Sequence, residues 1–527
     1  MVSYQPLTYP VHNWTVRKPI AESSKGVVAS QVYDASAAGV AVLEAGGNAV
    51  DAAVATAFAL AVVEPWNSGL GGVGFALYQG HDKGTATSIH FGPVAPRKLR
   101  PELFPLTGRP ATDLFPWPQV ENDANSHGPL SFCLPTAVAG YGTMLERWGT
   151  MPLSEVLQPA IVLAKRGLPS DWFSTLMLAQ AAPIMRKYGE TARIFLRDGL
   201  PPVPPYQGTP GFLPLGRMSE TLERLAHAGW RDFYQGDLAT SIVRDIAEMG
   251  GLIGREELDA YEVETAHALS VPWGDSSIQL SSGMNAGPTL ADAFKMLEPP
   301  VSRREEKHPS AQWYVEIAKA LKAAYKKRLH EDSSDPSAPK GCTTHLNVCD
   351  AKGSMVALTT TLLSSMGSRV VLPSTGFVMN NGVMWFDPRP GTSNSVEGGK
   401  KALSNMCPAI ISRDGRPVVA GGAAGGRRIM AAVAQLLLLV HDFDMSVGDA
   451  AHCPRIDVSG PEQVSADRRL PALVLHALRE LGECEVVDHN VLPINFARPS
   501  VIERFDGRTA RGVSDAFSPW SAALGPQ

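Results

Sequence analysis

A threonine that follows a scissile peptide can serve as nucleophile and base at once, and Gly341-Cys342-Thr343-Thr344-His345 offers that arrangement. A hydroxyl beside an accessible peptide can attack the preceding carbonyl, here that of Cys342. Hydrolysis of the resulting ester frees the α-amine of Thr343. A free α-amine titrates at about 7.7–8.0, so near neutrality it can act as general base for its own hydroxyl. This reading predicts a cut between Cys342 and Thr343, and then amide-bond chemistry that needs neither a Ser-His-Asp set nor a metal. A Thr-Thr-His after a loop is also an ordinary way to begin a strand. The rest of the chain has to support the stronger reading.

Stepping outward, His330–Cys342 is a polar stretch rich in Ser, Asp and Pro and reads as an exposed loop. Beyond it Thr344, Leu346 and Val348 alternate on one side of a strand. Asp350–Gly353 makes a hairpin turn, and SMVALTTTL is the return strand that carries Thr361. A second hairpin has CPAIIS and PVVAGG flanking Arg413–Arg416. A helix then opens after Gly425-Gly426 and runs through IMAAVAQLLLLVHDF. Near the other end, Gly26–Ser30 is strand-like. Asp34 is expected to cap a small-residue helix to about Ala45, and Asn48 the next one to Val63. That second helix is apolar all round, which predicts burial. A glycine-rich bend leads into a strand over 75–78, and about 130–330 reads as mostly helical. Helix layers around buried sheets follow from these pieces.

Composition removes several function classes. The 527 residues are 44% apolar and 19% charged, with a net charge of -5, so no basic field exists to recruit nucleic acid or an anionic membrane. The longest apolar run, Leu436–Val440, is too short to span a bilayer, and no signal-peptide pattern is visible, which sets a cytoplasmic expectation. The six cysteines show no CxxC and no metal-ligand spacing, so no metal or cofactor is expected. The glycines of SGLGGVGF precede a strand rather than follow one, so they fail as a dinucleotide fingerprint.

Four blocks give the threonine its company: Gly46–Phe75, Phe233–Tyr261, Thr343–Leu362 and Ala402–Ile429. In content and order they resemble the γ-glutamyltransferase family of N-terminal-nucleophile hydrolases. The resemblance implies an α+β fold, a four-layer αββα sandwich. It also implies a precursor cut into residues 1–342 and 343–527 that stay together as large and small subunits, with a dimer of these as a further expectation. Thr343 would be the nucleophile and Thr361 its supporting threonine. Gly425 and Gly426 would supply oxyanion-binding N–H groups, as small residues opening a helix can.

The substrate positions depart from that family. The arginine that clamps a substrate carboxylate becomes Gly92 in HFGPVAP, and the asparagine beyond the supporting threonine becomes Leu363. The aspartate that pairs an ammonium becomes Trp385. Of two serines near the oxyanion glycines, Ser404 remains and the second is Asn405. Losing two charge-assisted contacts, each worth about 1.5–3 kcal/mol, disfavours an amino-acid head group. The expectation is a small-molecule amide with a smaller acyl group and no amine; some relatives hydrolyse oxamate. Arg97, Arg369 or Arg389 could replace the clamp. A glutathione hydrolase with different substrate contacts, and a non-catalytic binding protein of the same fold, are the competing readings.

Overall fold

The structure is a computed structural model that describes residues 16–82, 84–110, 115, 117–297, 308–332 and 342–527. Most of the polar stretch expected as a loop before Thr343 lies outside the described residues. The preceding helix runs from Ala311 to Asp332.

Two seven-stranded sheets, antiparallel at every pairing, lie face to face. One carries Cys342–Asp350 in its interior, between Gly26–Ser30 and the central Met355–Leu363, and continues through Val73–Gln79 and Thr87–Phe91. The other has Arg416–Ala424 at its centre, between Arg498–Arg504 and Ala409–Arg413. Small and branched side chains fill the space between them, among them Ala29, Leu77, Ala357, Ile410, Ala420 and Ile502. Helices cover both outer faces, which completes the four-layer αββα arrangement. Tyr33–Glu44, Ala49–Val63 and Ala137–Trp148 back the first sheet. Gly287–Met296, Ala311–Asp332 and Ile429–His441 back the second.

Local sequence explains the helix that braces the strand Cys342–Asp350. Asn48 Oδ1 accepts from the N–H groups of Val50 and Asp51, and Asp51 Oδ2 accepts from Asn48 N–H, closing a capping box. Every residue from Ala49 to Val63 is buried, as an all-apolar helix requires. Asp34 does not cap the helix before it. That helix begins at Tyr33, and Asp34 in its first turn pairs with Arg166 at 2.5 Å.

Three further differences bear on the site. The strand that carries Thr343 starts at Cys342, which is therefore strand rather than loop. The strand after the glycine-rich bend begins at Val73, two residues earlier than expected. The middle of the chain also contains Glu264–His267, Leu269–Trp273 and Ser276–Leu280, which extend the edges of both sheets. No helix among the described residues is long and apolar enough to cross a membrane.

Candidate active site

The pairing of Cys342–Asp350 with Met355–Leu363 sets the geometry. Cys342 lies opposite Leu363 and Thr344 opposite Thr360, so the register slips at Thr343. The return strand has one residue more across that step. Such a bulge re-aims side chains locally. Leu363 takes the strain, with a φ of +86°, a left-handed conformation that a bulky residue rarely adopts. Its N–H thereby turns back and donates to Thr361 Oγ at 2.8 Å.

The hydroxyl of Thr361 is used completely. It accepts from Leu363 N and from Thr343 Oγ, the latter at 3.3 Å, and donates to the carbonyl oxygen of Cys342. One donor and two acceptor sites are all that a hydroxyl has. The predicted nucleophile, its supporting threonine and the predicted scissile carbonyl thus form one hydrogen-bonded cluster. His345, two residues along, is engaged elsewhere. Its ring nitrogens meet Thr359 Oγ at 2.8 Å and Asn347 Oδ1 at 3.1 Å, and burial pushes its pKa down to about 4, so the imidazole is neutral.

Thr343 and Thr361 line a cavity of about 20 Å³, room for roughly one water. Gly426 closes it from the other sheet, at the turn between Arg416–Ala424 and the helix Ile429–His441. Gly425 stands one residue behind, at a φ of +144°; a Cβ there would lie 2.8 Å from Ala497 Cα, so only glycine fits. Leu363, Trp385 and Met406 make the apolar wall, and Asn405 and Arg427 the polar one.

The remaining substrate positions divide. Asn405 and Trp385 reach the cavity. Ser404 does not: it is fully buried, its N–H bonds Met284 O, and its hydroxyl has no partner. Arg389, expected at the substrate, is instead paired with Asp387 at 2.7 Å and is absent from the cavity wall. Arg369 is likewise absent; it donates to Ser126 O, Ser364 Oγ and Gly367 O. Arg97 lines a separate cavity of about 490 Å³ beside His90 and Gly92. Phe75 borders that larger space, and its ring covers Gly92, where a Cβ would stand 2.5 Å from it.

Two further groups belong to the site. The doubled arginine directly after the glycine pair is the sequence signal for Arg427. Glu64, at the end of the helix Ala49–Val63, is 1% exposed and sits behind the strand that carries Thr343. Burial pushes its carboxyl up to about 7, against the opposing influence of Thr344, Arg498, Asn67 and Trp66. Asn67 Nδ2 donates to it at 2.6 Å.

Two facing antiparallel sheets with helices outside, a buried threonine where a central strand begins and a glycine pair opposite define an N-terminal-nucleophile hydrolase fold. The gamma-glutamyltranspeptidase family model matches residues 35–340 and 329–524, and the chain belongs to that family. The glutathione hydrolase proenzyme of Escherichia coli (strain K12) is 29% identical over 529 residues, covering 91% of this chain and 88% of that protein. The acylase ACY 1 proenzyme of Pseudomonas sp. (strain SE83) is 30% identical over 517 residues, covering 90% of each. The crystal structure of cephalosporin acylase from Bacillus halodurans superposes with a TM-score of 0.83 over 100% of both chains at 22% identity, a likeness of fold alone. The chain is thus an enzyme-family member whose relatives are named both as glutathione hydrolase and as acylase. Family membership alone does not choose the substrate.

Proposed function

We propose that this chain is a self-cleaving proenzyme whose N-terminal threonine hydrolyses a small acyl amide of the oxamate kind. The observation that carries the proposal is the cluster of Thr343 Oγ, Thr361 Oγ and the Cys342 carbonyl oxygen. In the first reaction Thr343 Oγ attacks the carbonyl carbon of Cys342, and the Thr361 hydroxyl stabilises charge gathering on its oxygen. The C–N bond breaks, the hydroxyl proton passes to the Thr343 nitrogen, and an ester remains. Water hydrolyses it, leaving the Cys342 carboxylate at the end of a large subunit, residues 1–342. The free amine of Thr343 begins a small subunit, residues 343–527.

In the second reaction that amine takes the proton of its own hydroxyl, and Oγ attacks the substrate carbonyl. The oxyanion is held by N–H groups of the Gly425-Gly426 turn. The leaving amine departs with the proton, and water releases the acyl group from Thr343. A small acyl group is supported by Trp385 and Leu363 in the cavity wall, which leave little space beside Thr343. An amino-acid head group is disfavoured because no carboxylate among the described lining residues is present to pair its ammonium.

Assay of purified protein with oxamate and other short amides beside a γ-glutamyl anilide tests the substrate class. Turnover of the short amides with little γ-glutamyl hydrolysis is expected. Robust γ-glutamyl hydrolysis would instead make the protein a glutathione hydrolase with unusual contacts, and no turnover of either would favour the binding-protein reading.

A further inference from the structure

We infer that Arg427, with Arg328 behind Asn405, forms the carboxylate site of the Thr343 cavity, so that the substrate is an acyl amide with an anionic group next to the amide. This inference rests on the amidohydrolase reading above and adds the recognition element to it. None of the three arginines named from sequence as replacement clamps reaches this space; Arg427 does.

Arg427 follows Gly426 directly, and both line the cavity that holds the hydroxyls of Thr343 and Thr361. A carboxylate on this guanidinium therefore stands beside the glycine turn and the carbonyl under attack. That geometry suits an α-oxo amide or the monoamide of a very short dicarboxylic acid. A long chain between anion and amide would carry the carbonyl away from Thr343 Oγ.

A neighbouring cavity of about 30 Å³ shares Trp385, Asn405 and Arg427 with the first and adds Arg328. Arg328 is 9% exposed and donates to Asn405 Oδ1 at 3.2 Å and to Ser404 O at 2.8 Å. It so fixes the amide of Asn405, whose side chain faces both spaces. Arg427 lines both cavities and Arg328 lines the second. The surrounding Leu363, Trp385, Met406 and Ile429 lower the local dielectric, which strengthens attraction for an anion and repulsion of an ammonium. A guanidinium can also grip a carboxylate through two parallel bonds.

A clamp at position 92 would come from the strand Thr87–Phe91, a route that the Phe75 ring now covers. Arg427 comes from the opposite sheet's helix start. The anion is held from a different wall, which fits the loss of both head-group contacts.

Oxamate and oxamide differ by one charge at nearly constant shape, so their kinetics test the site. Wild type should prefer oxamate by about 10- to 100-fold in kcat/KM, mostly through KM, the range for a charge-assisted bond. In Arg427→Gln the ratio should fall to near one. Arg427→Lys, which keeps the charge but not the fork, should retain part of it and serves where the glutamine variant does not fold. Equal use of both amides by wild type, or an undiminished ratio in either variant, would overturn this site and leave the amidohydrolase reading standing. If wild type turns over neither amide, that reading itself fails and takes this inference with it.

Discussion

The hydroxyl of Thr361 stands between the hydroxyl of Thr343, 3.3 Å away, and the carbonyl oxygen of Cys342, to which it donates. Under the proposed mechanism one side chain thus orients the attacking oxygen and polarises the bond attacked. Leu363 N–H fixes that side chain from behind, at the cost of a left-handed leucine.

Removing the hydroxyl should therefore slow maturation more than it harms the fold. Thr361→Val is expected to slow self-cleavage by about 10²-fold, the scale for losing one preorganised donor, while Thr361→Ser stays close to wild type. A time course of precursor disappearance on a gel reads the difference. Equal rates for valine and wild type would remove Thr361 from the reaction.

The glycine turn allows a sharper geometric test. A methyl group at Gly425 would stand 2.8 Å from Ala497 Cα, on a residue with a φ of +144°. Gly425→Ala should lower stability by about 1–3 kcal/mol and reduce amide turnover together, because the turn must shift to admit the Cβ. A thermal melt and an activity assay on one preparation check both. Unchanged turnover would show that this turn does not hold the oxyanion.

How much of this was legible in the sequence differs by element. The capping box at Asn48 and Asp51 and the hairpin after Asp350 are short-range signals, so the helix and the strand pair could be read directly. Pairing those strands brings Thr361 toward Thr343. The bulge was not readable, because it rests on how Leu363 packs and turns. The strands Leu269–Trp273 and Ser276–Leu280 were missed inside a helical stretch because they are short and lie toward a sheet edge, with Pro272 in the first. Arg328 meets Ser404 and Asn405 across a long sequence separation that no local periodicity encodes. Arg389 looked available in sequence because its pairing with Asp387 depends on the fold of that loop.

Restoring the family arginine at position 92 should not restore a γ-glutamyl enzyme. A Cβ on Gly92 would meet the Phe75 ring at 2.5 Å, so Gly92→Arg is expected to cost about 1–3 kcal/mol by overpacking. Trp385 would still line the Thr343 cavity. Thermal stability and γ-glutamyl anilide hydrolysis should show a less stable protein without gain of that activity. A large gain would mean that Phe75 yields readily and that Gly92 alone set the substrate.

Glu64 gives the protein a defined pH dependence. Its carboxyl titrates at about 7 in the fold, above the ordinary value of 4.5. Below 4.5 both folded and unfolded chains hold the proton, and Glu64 costs nothing. As pH rises the unfolded chain ionises first, so stability falls and is lowest above about 7. The loss from this one group is roughly 3 kcal/mol at most. Glu64→Gln should flatten the stability profile over that interval, by denaturant titration at several pH values. An identical slope in the variant would place the titration elsewhere.

The most direct measurement joins N-terminal sequencing with an intact-mass comparison of wild type and Thr343→Ala. Wild type should resolve into two fragments, the smaller beginning Thr-Thr-His-Leu-Asn-Val at Thr343, and Thr343→Ala should stay a single chain. A wild-type chain that remains intact, or one cut at any other bond, would contradict the assignment of Thr343 as the N-terminal nucleophile.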